Sequence, residues 1–172
     1  FNAGFSWRVI AAKWDGFEAA FDGFDPHKLA FFGDEMLDSL VSDTRIVRNG
    51  QKIKATLENA RFVAEVDKEQ GGFGAFLAEW PTDDQFGLME TLSKRGSRLG
   101  GATAQYFLRF SGWDAWITSK DVMAAFVRDG VIDKPATTKT AMRQMQAGFN
   151  AYHDESGLPR AQISKVLAMS IG

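Results

Sequence analysis

The chain has 172 residues, 45% of them hydrophobic and 24% charged, which is typical of a globular protein with one domain or two small lobes. Its lack of cysteine excludes disulfides, thiolate nucleophiles and zinc–thiolate sites. The formal net charge of −2 argues against nucleic-acid binding over the whole surface, so any DNA site must be a local basic patch.

Apolar residues recur at helical spacing through most of the chain. Asp25 is a candidate N-cap with Pro26 as the first helical residue, and a long run from Gln51 to Glu69 ends at the glycines of QGGFG. Further helices are predicted at 34–43, 102–110, 120–128, 138–156 and 159–171.

No segment alternates as a half-buried strand does, and no apolar run is long enough to span a membrane. The prediction is an all-α, compact multi-helix fold that forms one domain over residues 1–172. The chain begins at Phe1 without an initiator methionine. We expect Phe1 to lie inside a helix whose upstream residues are missing.

The first candidate ligand-binding residue is Trp7, in the segment AGFSW near the start of the chain. The indole of Trp7 offers a flat, electron-rich face to an aromatic or cationic ligand. The alternative is that Trp7 is a core residue, which is the commoner role of a tryptophan.

The segment LSKRGSRLGG joins two predicted helices through a tight turn. Its glycines allow another backbone to approach closely, and the amides that open the second helix form an anion site. With the basic residues around it, this turn would hold a DNA phosphate without reading base sequence. The alternative is a plain helix–helix turn with solubilising charges.

In the segment WDAWITSKDV, Thr118 or Ser119 is the candidate N-cap of the next helix. Asp121 lies in the first turn of that helix, where the helix dipole favours a carboxylate. One interpretation of Asp121 is therefore purely structural.

Four segments in this order, AGFSW, FEAAFDGFDP, RIVRNGQKIKATLENAR and LSKRGSRLGGATAQYF, resemble the 3-methyladenine DNA glycosylase I family. The resemblance covers roughly residues 1–112, and that family belongs to the helix-hairpin-helix glycosylase superfamily. It implies a two-lobed helical enzyme of base excision repair that needs no cofactor. Such an enzyme flips an alkylated purine, most often 3-methyladenine, out of double-stranded DNA and hydrolyses its N-glycosidic bond.

The resemblance also implies roles for individual residues. Trp7 would stack on the flipped base, while Gly4 and Phe5 would lie where the family presses a loop into the gap in the duplex. The hairpin residues that would bind the DNA backbone are Lys94, Arg95, Arg98, Gly100 and Gly101.

The catalytic residue is open between two precedents. The family's catalytic glutamate and pocket tyrosines lie upstream of AGFSW and would precede Phe1. In many other helix-hairpin-helix glycosylases the catalytic group is an aspartate about twenty residues beyond the hairpin glycines. Asp121 stands at that distance from Gly101 and is the second candidate.

Members of the enterobacterial type bind zinc through cysteine and histidine near both ends of the chain. This chain has no cysteine and only His27 and His153, which predicts a divergent branch with no metal. Two other functions stay open, namely a glycosylase of the same fold for another damaged base and a DNA-binding module without catalysis. We expect a monomer in the bacterial cytoplasm.

Overall fold

The computed structural model describes residues 1–135 and 137–171, and all regular elements in these ranges are helices. The all-α prediction is therefore confirmed. The chain forms two compact units, as the two-lobed family architecture implies. The first contains residues 1–77 and 95–98, and the second contains residues 78–94 and the chain from Leu99 onward. No helix in the described ranges is long and apolar enough to cross a membrane.

The first unit is built from the helices of the N-terminal half. In chain order they are α1 (Trp7–Ala11), α2 (Trp14–Ala20), a 3-10 turn (Asp22–Phe24), α3 (Pro26–Leu29), α4 (Asp34–Ser42), α5 (Gly50–Gln70) and most of α6 (Phe73–Glu79).

Helix α5 forms much of the core of this unit and packs against α3 and α4. It begins where the side chain of Asn49 accepts a hydrogen bond from the amide of Lys52, and it ends at Gly71, whose φ of 73° is left-handed. Its residues Ile53 and Leu57 are buried in the core of the first unit. The helix predicted from Gln51 to Glu69 is thus confirmed to within one residue at each end.

The second unit carries the remaining helices. They are α7 (Gln85–Arg95), α8 (Ala102–Phe110), α9 (Lys120–Arg128), α10 (Lys139–Ser156) and α11 (Arg160–Met169). Helix α11 packs against α9 and α10. In the core of this unit the ring of Phe149 stacks on Trp116 at 5.1 Å and meets Phe126 edge-on at 4.8 Å. Gly148 leaves room for these rings, because an added Cβ would lie 2.5 Å from Phe126.

Residues 113–119, between α8 and α9, form an irregular segment that side chains hold in place. Gln85 donates to the carbonyl oxygen of Trp116 (2.9 Å) and accepts from its amide (2.7 Å). Ser164 likewise bonds the amide and the carbonyl oxygen of Ile117, and Gln105 accepts from the amide of Thr118 and donates to its hydroxyl. These contacts fix the position of the backbone immediately before α9.

The expectation that Phe1 lies inside a helix is wrong. Residues 1–6 are irregular, and α1 begins at Trp7. Gly4 has a left-handed φ of 79°, and the amide of Phe5 donates to the carbonyl oxygen of Asn2, which closes a turn there. A helix cannot continue through this geometry.

Candidate nucleic-acid interface

The loop of residues 1–6 is fastened to α5 by Lys52. Its ammonium donates to the carbonyl oxygens of Phe1 (3.0 Å) and Ala3, and it lies 5.1 Å from the ring centre of Phe5. Burial, and then the positive charge of Arg98, lower the pKa of Lys52. Sequence reasoning missed this residue, although it lies in the family-like segment RNGQKIKATLENAR.

The fastened loop leads directly to Trp7, whose side chain is 60% exposed at the first position of α1. Trp7 is therefore not a core residue. Gly4 is exposed, and a Cβ added to it would meet nothing within 4 Å. Phe5 is only half-exposed and packs on the core of the first unit.

Residues 95–98, at the start of the hairpin turn, are held by one face of α5. Asn59 makes a reciprocal pair with the backbone of Ser97. Its Nδ2 donates to the carbonyl oxygen (3.0 Å), and its Oδ1 accepts from the amide (2.7 Å). The neutral side chain of Gln51 accepts a bond from Arg98 (3.1 Å). The sequence gives no local sign of these contacts, because they join residues about forty positions apart.

The two arginines of this turn differ in electrostatic environment. Arg95 lies 2.9 Å from Glu69 and 3.9 Å from Glu65, and its guanidinium stands 5.0 Å from the ring centre of Phe62. Arg98 is exposed, and in the described part of the chain no carboxylate lies within ion-pair distance of it. The charge of Arg95 is thus compensated, whereas that of Arg98 is available to an anion.

The glycines follow this turn and open α8 in the second unit. Gly101 has a φ of 54° and a ψ of −131°, a conformation that residues with a side chain rarely adopt. It is the residue immediately before α8, and it offers that helix no side-chain cap. Gly100 has less free space, since an added Cβ would lie 3.1 Å from Ser93 Oγ. Lys94 is exposed in the last turn of α7.

Asp121 is exposed in the first turn of α9, in the second unit. The cap of this helix is Ser119, whose hydroxyl accepts from the amide of Val122 (3.2 Å), so Asp121 does not provide the cap. Thr118, the other predicted cap, bonds Gln105 instead.

The described residues contain no group of three or more His, Cys, Asp or Glu side chains that could hold a metal ion. In particular, His27 faces Asp67 at 3.0 Å and His153 contacts the carbonyl oxygen of Leu158 at 2.8 Å. The absence of zinc stays a prediction.

Comparison with known families shows where the chain belongs. Residues 1–104 match the family model for methyladenine glycosylase. The chain belongs to the methyladenine glycosylase family. The match includes AGFSW, α5 and the hairpin glycines, and it stops before Asp121.

Among relatives in the methyladenine glycosylase family, DNA-3-methyladenine glycosylase 1 of Escherichia coli is 31% identical over 123 residues, covering 61% of this chain and 66% of that protein. DNA-3-methyladenine glycosylase of Haemophilus influenzae is 28% identical over 76 residues, covering 44% and 41% respectively. The chain thus spans less than two thirds of either relative.

Two solved structures of 3-methyladenine DNA glycosylase I share the fold. One, in complex with 3-methyladenine, has a TM-score of 0.58 at 25% identity and covers 65% of this chain and 70% of that chain. Another has a TM-score of 0.55 at 28% identity, with coverages of 64% and 71%.

Proposed function

We propose that this chain is part of a DNA glycosylase that removes alkylated purines, most often 3-methyladenine, in base excision repair. The observation that carries the proposal is the exposed indole of Trp7 at the end of a loop that Lys52 fastens to α5, in a chain of the methyladenine glycosylase family. Because the loop is fixed before the ligand arrives, little ordering cost is added on binding.

The chemistry of the substrate suits such a site. An N3-alkylated adenine carries positive charge, so its glycosidic bond is already weakened. Flipping the base costs a few kcal/mol, and least for a damaged base. The face of Trp7 would attract a cationic base by about 2 kcal/mol once water is excluded. A carboxylate near the sugar would stabilise the positive charge that forms as the bond breaks.

In this proposal the hairpin segment binds the backbone of the DNA. Arg98 and Lys94 supply positive charge, and Gly100 and Gly101 let a phosphate approach the amides at the start of α8. Arg95 belongs to the same segment, but its ion pairs with two glutamates suit it better to holding the turn than to binding phosphate.

The partner is double-stranded DNA that carries alkylation damage. We propose that the protein acts as a monomer without a cofactor in the bacterial cytoplasm. The bacterial origin of the two relatives supports the proposal of a bacterial protein.

The test is incubation of the full-length protein with methylated duplex DNA. We expect abasic sites to appear, detected by strand cleavage at alkaline pH, and free 3-methyladenine to be released, identified by chromatography. Release of a different base instead would indicate the glycosylase of the same fold with another specificity. Binding of the duplex without abasic sites would indicate the non-catalytic module.

A further inference from the structure

The side chains of α5 that contact residues 95–98 form one continuous face of that helix. Gln51, Asn59, Phe62, Glu65 and Glu69 recur at spacings that place them on the same side. Within this face only Asn59 bonds the backbone of the turn, and it uses both its donor and its acceptor on a single residue, Ser97.

The next residue, Arg98, shows why a backbone contact at Ser97 matters. Arg98 is not a glycine, yet its φ is 57°, a left-handed conformation that costs energy for an L side chain. Such a residue keeps this conformation only when its surroundings impose it. The reciprocal pair made by Asn59 holds the peptide groups on both sides of Ser97, and the second of these leads directly into Arg98.

We propose that Asn59 is a positioning residue for DNA binding, because it holds the turn in the shape that presents the uncompensated guanidinium of Arg98. This inference rests on the proposed function, in which Arg98 contacts the DNA backbone. Asn59 itself would touch no DNA. Its removal would leave every charge of the protein in place and would still weaken binding.

The test measures affinity for undamaged duplex DNA by fluorescence anisotropy, with the full-length protein and a series of salt concentrations. Asn59→Ala should weaken binding about tenfold at low salt, since it removes two hydrogen bonds to the turn. The slope of log affinity against log salt should also become shallower by about 0.9, as expected when one phosphate contact is lost.

A double-mutant cycle with Arg98→Ala shows whether the effect passes through that arginine. The two substitutions should be strongly non-additive, so that Asn59→Ala costs less than about twofold in the Arg98→Ala background. The matched control is Asn150→Ala on α10. There the amide also donates to a main-chain carbonyl, that of Asp83 (2.8 Å), and we expect affinity and salt slope like those of the parent.

The outcomes separate the inference from the proposed function. If Arg98→Ala binds DNA like the parent, the hairpin contact and this inference both fail. If Arg98→Ala weakens binding but Asn59→Ala does not, or if their effects simply add, only the inference is overturned. Should Asn59→Ala not fold by circular dichroism, Asn59→Gln replaces it. Asn59→Gln keeps the amide but shifts it by one methylene, and parent-like binding by that variant overturns the inference.

Discussion

Trp7 is the side chain on which base excision depends most directly in the proposed function. Trp7→Ala should lower single-turnover excision of 3-methyladenine by at least about thirtyfold, the factor that corresponds to the loss of about 2 kcal/mol of attraction to a cationic base. Affinity for undamaged duplex DNA should stay near that of the parent, because Trp7 would act on the flipped base and not on the backbone.

The control for Trp7 is Trp14→Ala on α2. Trp14 is also exposed, at 43%, but it stacks on Phe24 and donates to Glu18, so its loss should affect stability more than excision. Equal losses of excision in the two folded variants would show that Trp7 has no specific role.

Asp121 offers a second test of a single residue. Asp121→Asn should reduce single-turnover excision less than about fivefold, because we propose that the catalytic carboxylate is a different residue and because Ser119, not Asp121, caps α9. A true catalytic carboxylate acting on so good a leaving group would contribute about 10²–10³-fold. A loss beyond about a hundredfold with folding intact would therefore make Asp121 the catalytic group.

At the scale of elements, the hairpin glycines differ in what they tolerate. Gly101→Val should weaken DNA binding more than Arg98→Ala does, because a β-branched residue cannot adopt a φ of 54° with a ψ of −131° without strain. Gly100→Ala should have a smaller effect, since only the hydroxyl of Ser93 has to move. Affinity for undamaged duplex DNA, measured by fluorescence anisotropy, checks this order.

The charge control for Arg98→Ala is Arg45→Ala. Arg45 lies 2.6 Å from Asp43, so its positive charge is already neutralised and its loss should leave DNA affinity unchanged. If both arginine variants bind as tightly as the parent, the turn is a plain helix–helix connection.

Sequence signals predict the helix ends well because they are local. Asp25 and Ser119 cap their helices through amides two or three residues away, a distance that a sequence pattern can express. The contacts that shape the candidate site are long-range. Lys52 lies on a helix rich in charged residues, where a lysine is usually solvated. It is nevertheless buried, and the sequence does not show this because its partners lie about fifty residues earlier in the chain.

The same limit explains why the arginines of the hairpin could not be ranked from sequence. Arg95 and Arg98 are equally basic in the segment LSKRGSRLGG. Only the fold brings Glu65 and Glu69 to Arg95 and the neutral Gln51 to Arg98. The helix expected at Phe1 is absent for a related reason, since the turn before α1 depends on the left-handed φ of Gly4, which helical spacing does not reveal.

At the scale of the whole molecule, we expect a stable fold without structural zinc. A closed zinc site needs about four nitrogen, sulfur or oxygen ligands in tetrahedral geometry, and the chain has no cysteine and two histidines. Elemental analysis of protein purified without chelator should find well below one zinc per chain. One tightly held zinc per chain would contradict this prediction, and adding a chelator should leave the thermal midpoint unchanged.

The side-chain support of residues 113–119 has a consequence for hydrogen exchange. The amides of Trp116, Ile117 and Thr118 donate to Gln85, Ser164 and Gln105 at 2.7, 2.9 and 2.8 Å. They should therefore exchange with deuterium as slowly as amides inside α8, although the segment has no regular secondary structure. Gln85→Ala should release the amide of Trp116 first. Exchange at the rate of an open loop would mean that the segment is loose and that α9 does not start from a fixed point.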